Sequence, residues 1–127
     1  MIVSENLLEV ARPYWTQGEL NENWPLNKHS NAYAASLVVK TGPGKLYGFT
    51  VYNSGAAQFI QVHDTSAVPA SGAIPAVVLS AAAAANLGSF WGDVGRAFNT
   101  GCVIVNSSTG PTYTAGADDC FFDAQYL

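Results

Sequence analysis

Residues Lys45 to Thr65, KLYGFTVYNSGAAQFIQVHDT, carry the pattern that decides the fold. On either side of Asn53-Ser54-Gly55, aromatic and β-branched residues recur at every second position, whereas a helix requires apolar residues three and four apart. Alternation of this kind suits a pleated strand with one buried face. The turn-forming cluster between the two runs makes the stretch read as a β-hairpin with a loop of several residues rather than a two-residue turn. Tyr47, Phe49, Val51, Ile60 and Val62 are its expected core positions, and the rest of the chain must supply the strands that cover them.

On both sides of this stretch the punctuation stays regular. Ser36–Thr41 is strand-like, and Gly42-Pro43-Gly44 is a turn. The Pro/Gly/Ser segment Ser66–Pro75 is a loop, because proline cannot donate to a central sheet ladder. Ala76–Ser80 and Leu87–Trp91 are short strands, with room for one helical turn over Ala81–Ala85. Arg96–Asn106 is a strand bent or bulged at Gly101. Tyr113-Thr114 is a brief strand between turns, and Cys120–Tyr126 closes the chain. Seven or eight short strands separated by turns predict an all-β fold, an antiparallel β-sandwich or jelly roll, carried by residues 34–127. The absence of a helix long enough for a crossover argues against a parallel sheet.

Composition narrows the function. The chain has 127 residues, enough for one domain, and only 11% of them are charged, against roughly a quarter in an average soluble domain. Five Lys and Arg against nine Asp and Glu cannot form a dense phosphate-facing patch, so nucleic acid is a poor partner. Glu5 and Glu9 stand where a secretion signal would be basic, so no signal peptide is expected. No run approaches the roughly eighteen apolar residues of a membrane span. Two cysteines, Cys102 and Cys120, are too few for a secreted disulfide framework. Free buried thiols and synthesis in a cytoplasm are the expectation.

Residues 1–33 differ from the rest of the chain. They hold six of the fourteen charged residues, two of the three tryptophans, and Pro13 and Pro25. Ser4 can cap a short helix carrying Leu7, Leu8 and Val10, which Pro13 would end. Beyond it there is no sustained period. Trp15 and Trp24 are costly to leave in water and typical of interface anchors, so the segment reads as an N-terminal arm laid on a neighbour. Its contact residues are expected to be Leu7, Leu8, Tyr14, Trp15 and Trp24.

Nothing in the sequence forces a catalytic reading, and neither a cofactor nor a metal is expected. His63 and Asp64 are adjacent on a strand and therefore point to opposite faces. A satisfied structural histidine is the simpler reading. Asp118, Asp119 and Asp123 lack the spacing of a calcium loop and read as turn caps. Ser54, Ser66, Ser107 and Ser108 stand in no nucleophile elbow, and GPGKLYG has neither the spacing nor the following helix of a phosphate loop. Phe90, Trp91, Tyr113 and Tyr126 suit either a sugar-stacking face or packing, with packing the expectation.

Taken together, the Gly-rich first turn, the aromatic alternation of KLYGFTVYN, the strand ending at Asp64, the loop Pro69-x-x-Gly72-x-x-Pro75 and the phrase Phe98-x-x-Gly101 before STGPT resemble small structural proteins of tailed bacteriophages. The likeness covers about residues 36–126. It implies a jelly roll or sandwich that assembles as a homotrimer on the virion surface, binds the major capsid protein, and acts without catalysis as a decoration or cement protein. The alternative it implies is a head- or tail-fibre module that binds a receptor or carbohydrate. Between Thr41 and Ala117 the only charges are Lys45, Asp64, Asp93 and Arg96, so such a surface can pack against copies of itself without burying unpaired ions.

Overall fold

The structure, a computed structural model, describes residues 24–127. They form nine strands: β1 (Leu26–His29), β2 (Ser36–Lys40), β3 (Gly44–Asn53), β4 (Gln58–His63), β5 (Val77–Ala81), β6 (Ala85–Phe90), β7 (Arg96–Phe98), β8 (Cys102–Ser107) and β9 (Cys120–Tyr126). Sheet A has the order β1-β9-β3-β6, with β7 also paired to β3; sheet B has the order β2-β8-β4-β5. Every pairing is antiparallel. The two short strands β7 and β6 pair in succession with Gly44–Leu46 and Gly48–Asn53 of β3, so together they act as one interrupted strand. Each sheet then has four strands, and the chain passes back and forth between the sheets in the order of a jelly roll.

That order corrects the expected hairpin. β3 and β4 do not pair: β3 gives its two edges to β9 and to β6 with β7, while β4 pairs with β5 and β8. The turn after Asn53 is an arch that carries the chain from one sheet to the other, so β3 and β4 face each other across the core. Alternation alone cannot separate the two cases, because a strand buries the same side chains whether its neighbour is beside it or opposite.

The same crossing explains three further differences. The expected strand Arg96–Asn106 is split at Gly101, with β7 in sheet A and β8 in sheet B. The expected helical turn over Ala81–Ala85 is instead the corner from β5 to β6, tight enough to place Ala84 at φ 49°. Residues Tyr113-Thr114 form no strand; an isolated bridge joins Ala115 to Ser107. At the N-terminal side, β1 pairs with β9 from Leu26↔Tyr126 to His29↔Asp123, so the folded sheet begins inside the segment 1–33.

Between the sheets lie Leu46, Phe49, Val51, Phe122 and Ala124 from sheet A and Leu37, Val39, Ile60, Val62 and Ile104 from sheet B, all buried. Tyr47 does not join them. A register irregularity between Leu46 and Gly48 breaks the alternation, so that Leu46 points inward and Tyr47 is left half-buried. A bulge re-aims one side chain in this way.

Gly101 makes a close backbone approach at the β7–β8 crossing: a methyl there would lie 2.5 Å from the Thr65 carbonyl oxygen and 2.8 Å from that of Lys40. Neither backbone oxygen can swing aside as a side chain would. Gly101→Ala should therefore lower unfolding free energy by roughly 1–3 kcal/mol, read from denaturant titration. Gly42→Ala, which meets nothing within 4 Å, should change stability by less than about 0.5 kcal/mol.

Candidate functional site

The outer faces of the two sheets are treated differently. Outward-pointing Val103 and Val105 of sheet B are buried beneath Tyr113, with Val38 and Ala73 packed alongside. Two loops make that cover. Gly72, at φ 89°, donates its N–H to the Tyr113 carbonyl, and the Tyr113 N–H donates to Ala73 O, both at 2.8 Å. Thus Gly72 of the Pro69-x-x-Gly72-x-x-Pro75 loop occupies a turn that favours glycine and stitches this loop to the one after β8.

Beneath the loops are polar side chains that alternation alone would place in water. Gln61, fully buried, donates Nε2 to the carbonyls of Thr109, Gly110 and Thr112 at 2.9–3.1 Å. Its Oε1 is therefore the acceptor facing His63 Nε2 at 2.9 Å, which assigns the proton to Nε2. The His63 ring meets the Tyr113 ring edge-on at 5.7 Å. Burial pushes the His63 pKa below its ordinary 6.5. Asp64 points elsewhere and accepts the N–H groups of Asn99, Thr100 and Gly101; these bonds hold its pKa below the usual value. The pair makes no dyad. One carboxylate anchors the β7–β8 crossing, and the imidazole anchors a loop cover.

A second polar cluster closes one end of the sandwich. Asn53 donates Nδ2 to Ala56 O at 2.9 Å and Ala82 O at 3.0 Å, and its Oδ1 accepts from Gly55 N–H and Gln58 Nε2. Gln58 and Asn106 also donate to Asp119 Oδ1, at 3.0 and 2.9 Å. Asp119 therefore ties β4 and β8 to its own turn through side-chain donors rather than capping the turn as expected, and Asp123 lies within β9, where it accepts from Gln125. Asn106 Oδ1 is buried without a conventional donor, and a side chain at Gly116 would overlap it.

Both cysteines are buried and free, one in each sheet. Burial pushes Cys102 up to about 12 and Cys120 up to about 11, which leaves almost no thiolate for nucleophilic chemistry. Among the described residues no group of three or more His, Cys, Asp or Glu side chains is placed to hold a metal ion.

The outer face of sheet A has no comparable cover among the described residues. Register places three outward rows across it. One runs Asn86, Tyr52, Phe121; the next Gly88, Thr50, Asp123, His29; the third Phe90, Gly48, Gln125, Asn27. Tyr33 extends the first row, its ring centroid 4.6 Å from that of Phe121. Tyr33, Tyr52, Phe90 and Phe121 are all exposed.

The four aromatics named as a stacking face do not come together. Trp91 and Tyr126 pack against the central core, Trp91 with its ring 6.0 Å from Phe49. Tyr113 lies on the far side of sheet B, and only Phe90 is open. Of the five arm contacts, Leu7, Leu8, Tyr14 and Trp15 lie outside the described residues. Trp24 is 53% exposed, immediately before β1. Tyr33, Tyr47, Tyr52 and Phe121 are the residues missed as surface candidates; period-two spacing opposite Phe122 and Ala124 is a signal that could have found Phe121. No protein-family model matches the chain, and no curated protein or solved structure matches it either.

Because folding favours neutral His63, the unfolded chain binds more protons between the depressed folded pKa and 6.5. Stability should be fully present above pH 6.5 and fall as pH drops through that window, with a slope of at most about 1.4 kcal/mol per pH unit. Unfolding titrations across this range should show the slope in the native protein and lose it in His63→Phe.

Proposed function

We propose that this chain is a non-enzymatic virion structural protein, a decoration or cement subunit that assembles as a homotrimer on a bacteriophage head and braces the major capsid protein. The observation that carries the reading is the contrast between the two outer faces. Among the described residues the chain covers Val103 and Val105 at the centre of sheet B with its own loops, leaving Val78 at that sheet's edge and Ile74 of the covering loop exposed, whereas the row Tyr33, Phe121, Tyr52 on sheet A has no cover. Contiguous exposed rings of this kind mark contact surfaces between proteins. The jelly-roll strand order agrees with the architecture that the phage resemblance implies, and the row of Asn86, Tyr52, Phe121 and Tyr33 holds no charged side chain, so it can be covered without stranding an ion.

In this reading the segment before β1 grips the shell. Trp24 supports the assignment, since it is an exposed anchor-type residue at the point where that segment meets the sheet. Many weakly held copies on a repeating lattice gain occupancy from multivalency, so no single contact need be strong.

Removal of residues 1–23, which spares β1, should leave a folded jelly roll that no longer decorates particles. Tyr33→Ser with Phe121→Ser should weaken self-association. Imaging of particles mixed with each variant, together with light scattering of the free protein, checks both expectations. Undiminished occupancy by the truncated chain would refute the grip assigned to the segment, and an unchanged oligomeric state in the double variant would refute the aromatic contact.

A further inference from the structure

We propose that the other end of the sheet A face, around Phe90 and Tyr47, binds a neutral hexopyranose unit of a glycan. The inference is independent of the virion reading, since it rests on a different group of residues.

Pro25, Tyr47, Phe90, Gly92, Asp93 and Gln125 line an open cleft of about 450 Å³, within the size range of small-ligand sites. Both of its aromatic rings lie on glycines. A side chain at position 48 would overlap the Phe90 ring, so that ring lies on the Gly48 backbone, and Phe90 is nevertheless 65% exposed. The Tyr47 ring packs on Gly95, where a Cβ would stand 3.1 Å from it. The bulge that takes Tyr47 out of the core is what delivers it here.

A ring packed on backbone and still largely exposed offers a platform to a ligand from solvent. The face of an aromatic ring is its negative side, and the axial C–H groups of a pyranose carry the complementary partial charge. Hydroxyl groups need polar partners around the platform. Gln125 uses Nε2 on Asn27 Oδ1 at 2.9 Å and on Asp123 Oδ2 at 3.4 Å, which leaves its Oε1 as an acceptor. Asp93 also lines the cleft, and a carboxylate can accept hydroxyl hydrogens.

Charge selects among sugars. Asp93 lines the cleft and Asp123 lies one row away on the same face, so a uronic or sialic acid would bring a third negative charge to them. A neutral sugar incurs no such repulsion. A protein side chain is the poorer occupant, because an anchor residue seeks a closed, desolvated pocket, whereas this cleft is open and has a carboxylate and an amide on its rim.

The test is a titration of the full-length, isotope-labelled chain with the methyl glycosides of glucose, galactose, mannose and N-acetylglucosamine, followed by amide chemical shifts. At least one should bind with a dissociation constant on the order of 1–10 mM, moving the signals of Tyr47, Phe90, Gly92, Asp93 and Gln125. Phe90→Ala should weaken that binding by roughly tenfold or more, and Gly48→Ala should do the same by lifting the ring while the fold stays intact. Tyr52→Ala, in the other row, should leave it unchanged. No shifts with any of the four sugars, shifts located elsewhere, or binding that survives Phe90→Ala would each overturn the proposal. So would contacts between Phe90 and residues 1–23 in the sugar-free protein that no sugar displaces.

Discussion

The side chain of Asn53 is the tie on which the sandwich depends. It is fully buried at the end of β3, and its amide is spent on both arches that meet there. It holds the β3–β4 arch through Gly55, Ala56 and Gln58, and the β5–β6 corner through Ala82. A buried amide left unpaired costs more than a satisfied one contributes, so the site enforces one path for the chain. With that path set, β3 stands at the centre of sheet A and β4 at the centre of sheet B. The apolar sides of both strands are then pressed together.

Once the sheets face each other, the remaining question is what happens on their outsides. Sheet B carries valines outward, and the chain covers Val103 and Val105 with two loops pinned by Gln61, His63 and the Gly72–Tyr113 backbone bonds, while Val78 on β5 stays exposed. Sheet A carries a mixture: exposed rings at both ends and Thr50, Asp123 and His29 between them. The central valines of sheet B are covered by the chain itself, while among the described residues the outer face of sheet A keeps its rings open to water. Its two ends differ in kind. The Tyr33–Phe121 end is an aromatic row, and the Tyr47–Phe90 end is a cleft lined also by Asp93 and Gln125.

Much of this was legible in the sequence, and the failures have definite causes. Alternation located nearly all the strands and four of the five expected core residues, because burial dictates side-chain parity directly. It failed at Tyr47, where a one-residue irregularity inverts the parity. It also could not tell an arch from a hairpin. The distinguishing fact is that both edges of β3 are taken by β9 and by β6 with β7, strands distant in sequence. Gly101 was visible as a bend, yet its role as a crossing depends on the Thr65 and Lys40 carbonyls beside it. The open face was the least legible part. Tyr33, Tyr52 and Phe121 are spread over almost ninety positions of the chain, and only the register of β3 with β9, and the approach of Tyr33 to it, bring them into one row.

The difference in cover between the two outer faces can be measured by hydroxyl-radical footprinting of the dilute protein. Tyr113 is 5% exposed, against 49% for Tyr33, 36% for Tyr52 and 65% for Phe90. The last three should be strongly modified and Tyr113 protected. Modification of Tyr113 to the same extent as Tyr52, or protection of the sheet A rings in the dilute protein, would contradict the difference.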